Sequence, residues 1–154
     1  MRYETYEDMM CAHQREINRF PIGFAFGDAQ FEEMMKRWGF CNGADGKPTA
    51  EDLRNIVSIS NGGYIRVQDI EAFHELVGRH QRETEEFQSS KENLTSQILY
   101  ELRNHEYIIN GQGDFDVCSA LGREEKDIEE DDFFGSCYKE ALSLYWNDIY
   151  AEAM

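Results

Sequence analysis

The chain has four histidines and four cysteines, the residue types best suited to binding metal or acting as nucleophiles. Their spacing argues against both roles. Cys11 and His13 stand two apart, which on a helix sends them to different faces. His74 and His80 are six apart and share a face poorly, and no His-Glu-x-x-His pair occurs. A closed zinc site needs four ligands at standard spacings. A calcium loop needs oxygen ligands at positions 1, 3 and 5, Gly at 6 and Glu at 12. With Gly46 at position 6, Cys41 and Gly43 fall at 1 and 3, Asp45 at 5 and Asp52 at 12. With Asp114 at position 1, Asp116 falls at 3, but Cys118 and Ser119 take 5 and 6. Both registers fail.

Nucleophilic and phosphate chemistry fare no better. No Gly-x-Ser-x-Gly elbow is present. Cys118 lies beside Asp116, and a nearby carboxylate disfavours a reactive thiolate. Cys137 falls on an apolar helical face, where a thiol is a small inert hydrophobe. Gly111-Gln112-Gly113 lacks a following Gly-Lys-Ser, and Asp114 and Asp116 would repel phosphate. Asn104-His105-Glu106-Tyr107 forms a polar cluster at a helix end, where a histidine complements the helix dipole. With 31 acids, some carboxylate pairs will be close by chance. These readings predict no enzyme, no metal and no cofactor. The alternative is an enzyme whose site is built from dispersed residues.

What remains is charge. The chain carries 31 Asp and Glu against 15 Lys and Arg, a net −16 on 154 residues. Residues 1–77 hold 13 acids and 8 bases, and residues 78–154 hold 18 and 7. Nine acids fall within 114–132: Asp114, Asp116, Glu124, Glu125, Asp127, Glu129, Glu130, Asp131 and Asp132, against Arg123 and Lys126. Such a surface repels nucleic acid and anionic membrane and attracts basic protein grooves. These nine residues are the expected partner-binding face. The competing reading is a solvated face that serves solubility, with acids at a helix start answering the dipole.

The elements that must position these residues are mostly helical. The pattern predicts an α+β fold of about five to six helices and one β-hairpin near residues 56–67, in a single compact domain spanning 1–154. Tyr6, Met9, Met10, His13, Ile17 and Phe20 recur at helical steps over 3–20, and Pro21 ends that helix. Residues 22–26 are expected to be a buried apolar connection. Asp28 is expected to cap a helix running to about Trp38. Thr49 with Asp52 predicts a capping box on one short turn. Asn61-Gly62 between two β-branched runs predicts a tight hairpin. Further helices are expected at 69–87, opened by Asp69, and at 91–105. Residues 107–115 read as a turn or short extended piece. A short helix capped by Asp116 and stopped by Gly122 follows, and then a last helix over 127–152.

The N-terminus lacks the apolar run of a signal peptide, and no stretch reaches the roughly 18–20 apolar residues that span a bilayer. With scattered cysteines, this predicts reduced thiols in a cytoplasmic protein. In the last helix Tyr145 and Trp146 are adjacent, so they are not expected to face one core. Either one is exposed or a second copy covers it, which makes a homodimer one expected state.

Three segments carry a resemblance: Phe24-Ala25-Phe26-Gly27-Asp28-x-Gln30-Phe31, then Gly62-Gly63-Tyr64-Ile65, then Tyr100-Glu101-Leu102-x-Asn104-His105-Glu106-Tyr107. Across residues 20–122 the chain resembles an uncharacterised family of small acidic proteins from phages and mobile elements of gut Firmicutes. The resemblance implies a small accessory gene and no assigned activity. Together with the charge, the expected function is an acidic protein-binding accessory. It would inhibit a host nucleic-acid-binding defence effector by DNA mimicry, as anti-CRISPR or anti-restriction proteins do. Its partner would be a protein with a basic groove, since basic grooves bind the regular charge of B-DNA, one per roughly 1.7 Å. No direct contact with nucleic acid or membrane is expected. The alternative is a non-catalytic structural or interaction module of a phage or mobile element.

Overall fold

The computed structural model describes residues 3–107 and 112–153 and is α+β. Eight α-helices and three short antiparallel strands lie among the described residues. The helix count exceeds the expected five to six because two elements, α3 (Ala50–Leu53) and α7 (Asp127–Glu130), are single turns. Residues 108–111, which hold part of the expected turn and the first glycine of Gly111-Gln112-Gly113, lie outside the described residues. The chain divides into two compact units, Cys11–Gln81 and Met1–Met10 with Arg82–Met154. The division falls inside α1 (Tyr6–Arg19) and α4 (Ile70–Gln88).

The unit Cys11–Gln81 is built around a small sheet. Strand β2 (Ile56–Ser58) pairs with β3 (Gly63–Arg66), with Val57 opposite Ile65. Asn61 and Gly62 both take positive φ, 52° and 75°, as a two-residue hairpin turn demands. The Gly63 N–H donates to the Ser60 carbonyl across that turn, 2.8 Å. The sheet has a third strand that the sequence pattern did not signal. Strand β1 (Gly23–Phe24) pairs antiparallel with β3, giving the order β1-β3-β2. Two residues are too few to show a period. Gly23 is needed there, because a Cβ would come within 2.4 Å of the Met34 sulfur. The expectation that 22–26 is buried holds for Gly23 and Ala25 but fails for Phe24 and Phe26, which are 55% and 75% exposed.

Helix α2 (Asp28–Arg37) closes this layer. Its N-cap is Gly27, which makes no side-chain cap bond, so Asp28 sits in the first turn and does not cap. There its charge still favours the helix N-terminus. Ala25, Met34 and Met35 are buried, with Phe31, Trp38, Phe40, Ile56 and Tyr64 packed against them. The loop after α2 is pinned by Asp52, which is only 3% exposed. Its carboxylate accepts from the Asn42 N–H (2.9 Å), Asn42 Nδ2 (2.6 Å) and the Thr49 N–H (2.9 Å), while Thr49 Oγ1 accepts from the Asp52 N–H, completing the expected capping box. The backbone N–H groups of Thr49 and Asn42 hold the Asp52 carboxyl down at about 2. Asp69, expected to open the next helix, lies in a 3₁₀ turn (Val67–Asp69) and accepts from Arg66 Nε at 2.8 Å.

The second unit owes its core to i, i+4 spacing. Leu94, Ile98 and Leu102 line one face of α5 (Lys91–Asn104), and Phe134, Cys137, Tyr138, Ala141 and Tyr145 line one face of α8 (Asp132–Ala153). Val117 and Cys118 of α6 (Gly113–Ala120), with Leu121, complete the cluster. Full burial of each large side chain contributes about 1.5–3 kcal/mol. Helix α6 begins three residues before the expected cap, so Asp114 and Asp116 lie in its first turn.

The last helix is not continuous from 127. Asp131 is extended (φ −106°, ψ 105°), and its Oδ1 accepts the Phe134 N–H at 3.0 Å. The break therefore supplies the N-cap of α8. Trp146 corrects the dimer argument. Tyr145 is buried, and Trp146 packs against the same cluster with its ring 5.7 Å from Tyr145. Neither ring needs a second subunit.

Candidate functional site

The acidity is divided unequally. The unit Met1–Met10 with Arg82–Met154 holds 21 acids and 7 bases, a balance of −14, whereas Cys11–Gln81 holds 10 and 8, a balance of −2. Of the 21 acids, 15 are exposed. The acidic field is therefore a property of one unit as a whole. Charges spread over 1–10 and 82–107 join those of 114–132, and reading the chain by halves blurred this.

The nine expected residues do not form one row. Asp114 is half-buried and accepts the Tyr138 hydroxyl at 2.6 Å. Asp116 is also half-buried. Asp127 accepts the Glu124 N–H at 3.0 Å and so fixes the turn that leads into α7. Asp131 caps α8 and accepts from Arg123 at 3.1 Å, and its carboxyl is held low by the Phe134 N–H and then by Arg123. The Arg123 guanidinium also lies over the Phe134 ring, 4.9 Å from its centre. Glu124 pairs with Lys126 at 3.0 Å on the surface. Glu124, Glu125, Glu129, Glu130 and Asp132 are exposed. Glu129 and Asp132 share a shallow notch of about 590 Å³ with Ile128, Gly135, Ser136 and Lys139.

The geometry of that segment is tightly set. A Cβ on Gly135 would stand 2.2 Å from the Ile128 carbonyl oxygen, so the backbone of α7 rests directly on α8. Three carboxylates thus build the scaffold (Asp114, Asp127, Asp131), and the exposed ones are carried on it. The sequence could not separate the two roles, because caps and charged surface use the same residue types.

Other polar side chains are joined by hydrogen bonds within the same unit. Glu101, nearly buried, accepts the Tyr6 hydroxyl at 3.0 Å and lies 3.1 Å from His105 Nε2. Burial and then the Glu101 charge raise the Tyr6 hydroxyl to about 12. His105 is therefore matched to a carboxylate four residues back as well as to its helix end. The spacing Glu101-x-x-x-His105 was visible in the sequence, but the Tyr6 partner was not. Cys118 is buried, and desolvation followed by the charge of Asp114 pushes its thiol up to about 11, which disfavours the nucleophilic thiolate. Cys137 is buried and donates to the Lys91 carbonyl. Among the described residues no group of three or more His, Cys, Asp or Glu is placed to hold a metal ion, and no helix is long and apolar enough to cross a membrane.

No curated protein and no solved structure matches the chain. Residues 5–143 match one family, and so this chain belongs to DUF7659, a family of unknown function.

Proposed function

We propose that this protein is a binding accessory whose acidic unit occupies the basic groove of a host nucleic-acid-binding defence effector, in the manner of an anti-CRISPR or anti-restriction DNA mimic encoded by a phage or mobile element. The observation that carries the reading is the charge partition: −14 on one unit with 15 exposed carboxylates, against −2 on the other. A groove built to neutralise phosphates meets in that unit a dense, net-negative surface that is folded in advance. The scaffolding role of Asp127 and Asp131 supports it, since a charge array held by caps loses little freedom on binding.

The test is capture of a partner from host lysate at low and moderate salt, followed by competition with duplex DNA for the captured protein. The expected partner binds DNA, releases it when the chain is added, and is lost as salt screens the charges. Neutralising Glu125, Glu129, Glu130 and Asp132 together (Glu→Gln, Asp→Asn) should abolish capture. Capture that survives both salt and neutralisation would overturn the reading. A neighbourhood of structural genes without a defence locus would also count against it.

A second reading is favoured by one observation. Phe24 and Phe26 are 55% and 75% exposed beside the sheet in the near-neutral unit. An interaction module would use such apolar surface for docking and leave the acidity to solubility. Phe26→Ser would then abolish capture, and the neutralised variant would keep it.

A further inference from the structure

The unit Cys11–Gln81 holds two Asn-Gly pairs, Asn42-Gly43 and Asn61-Gly62, while Asn110-Gly111 lies outside the described residues. Asn-Gly is the pair best suited to an internal reaction. The glycine carries no side chain to hinder the approach of its backbone nitrogen to the asparagine amide. Asn42 and Asn61 are both exposed, so exposure does not separate them. Hydrogen bonding does.

Asn42-Gly43 is tied at both reacting ends. Asn42 Nδ2 donates to Asp52 Oδ1 at 2.6 Å and to the Gly39 carbonyl at 3.3 Å. The Gly43 N–H donates to the Lys47 carbonyl at 2.9 Å. Asn61-Gly62 forms the tip of the β2–β3 hairpin. Two bonds close that tip, from the Gly63 N–H to the Ser60 carbonyl at 2.8 Å and from the Ala25 N–H to the Gly62 carbonyl at 3.0 Å. Neither uses the Asn61 side chain or the Gly62 N–H, and among the described residues these two groups have no hydrogen-bond partner.

We propose that Asn61 is a site of spontaneous modification, converted to aspartate and isoaspartate, while the equally exposed Asn42 is protected by its bonds to Asp52 and by the bond from Gly43 to Lys47. The Gly62 nitrogen attacks Asn61 Cγ when the tip opens, as loop tips do more readily than packed helices. The side-chain nitrogen leaves as ammonia, taking the proton that the Gly62 nitrogen gives up, and a cyclic imide remains. Water then adds across one of the ring's C–N bonds. Opening at the Cγ side gives aspartate, and opening at the main-chain carbonyl routes the backbone through Cγ as isoaspartate. Nothing is oxidised or reduced. Either product adds one carboxylate to the unit, taking its balance from −2 to −3. Isoaspartate also lengthens a loop whose two residues must both hold positive φ to match the strand twist, so the hairpin loosens. The acidic unit has no part in this, and the proposal stands independently of the binding reading.

The full chain is incubated at mildly alkaline pH, folded and in concentrated urea, and each asparagine is followed by peptide mapping with mass spectrometry. In the folded chain Asn61 should gain the mass difference between amide and acid. Asn42 should convert at least about tenfold more slowly, because bonds to a charged acceptor must first break. In urea the two rates should converge to within about threefold, since both are Asn-Gly and only the fold distinguishes them. The converted fraction, separated by its added charge, should show faster amide exchange over residues 56–66. Equal rates in the folded chain, a difference that persists in urea, or an Asn61 that converts only in urea each overturns the proposal. Unchanged exchange over 56–66 overturns the loosening.

Discussion

The two units meet unequal electrostatic conditions with different means. The acidic unit carries −14 and buries eleven residues in one helical cluster, whereas the near-neutral unit carries −2 and buries three in its cluster beside the sheet. A large apolar core tolerates the self-repulsion of many like charges, because burial contributes a few kcal/mol per side chain and screened surface charges oppose it weakly. A small core needs local devices to fix its loops. Those devices are the Asn61-Gly62 turn, the Thr49–Asp52 capping box and the Asn42–Asp52 bonds. High charge is therefore found where packing is most extensive, and polar capping where packing is thin.

The largest expected effect tests that contrast directly. Phe134→Ala removes a fully buried ring from the large cluster and should cost about 3–5 kcal/mol. Met35→Ala removes an equally buried side chain from the small cluster. It should cost nearer 2 kcal/mol, since flexible neighbours such as Met34 can close part of the cavity. Urea unfolding followed by circular dichroism measures both. An equal or larger loss at Met35 would mean that the small cluster is the more tightly packed, and the contrast would fall.

Next in size is Gly135→Ala. Glycine to alanine inside a helix ordinarily stabilises by roughly 0.5–1 kcal/mol. Here the added methyl would strike the Ile128 carbonyl, so the sign should reverse, with a loss of about 1–3 kcal/mol. The clash falls between α7 and α8, and relief requires α7 to shift with Asp127, Glu129 and Glu130 on it. A variant more stable than wild type would show that α7 moves freely and that the acidic segment is not held as a scaffold.

Much of this fold was legible in the sequence, and the parts that were not share a cause. The α5 face Leu94, Ile98, Leu102, the Asn61-Gly62 turn and the Thr49–Asp52 box each declare themselves by local pattern. Strand β1 does not, because Gly23 and Phe24 are defined only by pairing with Gly63 and Tyr64 some forty positions away. The break at Asp131 was hidden for a similar reason. An acidic run fits a helix N-terminus wherever it begins, and only the contact of Gly135 with Ile128 shows that the chain must turn there. At the candidate site, composition gave the sign of the charge. It could not separate Asp114, turned inward to Tyr138, from Glu129 and Glu130, which face water. Nor could it join Tyr6 to Glu101, since that partner comes from a distant helix.

A smaller, pH-dependent effect sharpens the comparison from the side of the near-neutral unit. Asp52 titrates at about 2 in the fold, below the ordinary value near 3.9 of an unfolded aspartate. The unfolded chain therefore binds this proton first as pH falls. The stabilisation is complete above about pH 4 and is lost as pH falls towards 2. Glu16 and Asp131 are also held low and add to acid sensitivity in the same direction. Asp52→Asn should lower stability at neutral pH and flatten the fall between about pH 4 and 2. Thermal melts across that range measure the slope. A slope unchanged in Asp52→Asn would assign acid sensitivity to the other two carboxylates and remove Asp52 as the fastener of the loop after α2.

The smallest stability effect should come from the residues that matter most to the proposed function. Glu125, Glu129, Glu130 and Asp132 are exposed, and single surface changes of this kind usually shift stability by less than about 0.5 kcal/mol. Neutralising all four should leave the unfolding midpoint unchanged at moderate salt. At low salt the midpoint should rise slightly, because like-charge repulsion within the −14 unit is relieved. A clear loss at moderate salt would mean that these carboxylates hold the fold together, as Asp127 and Asp131 do. Their exposure would then need no partner to explain it. A neutral or stabilising outcome leaves them with no structural task, and the salt-dependent capture experiment then decides between a binding surface and a solubilising one.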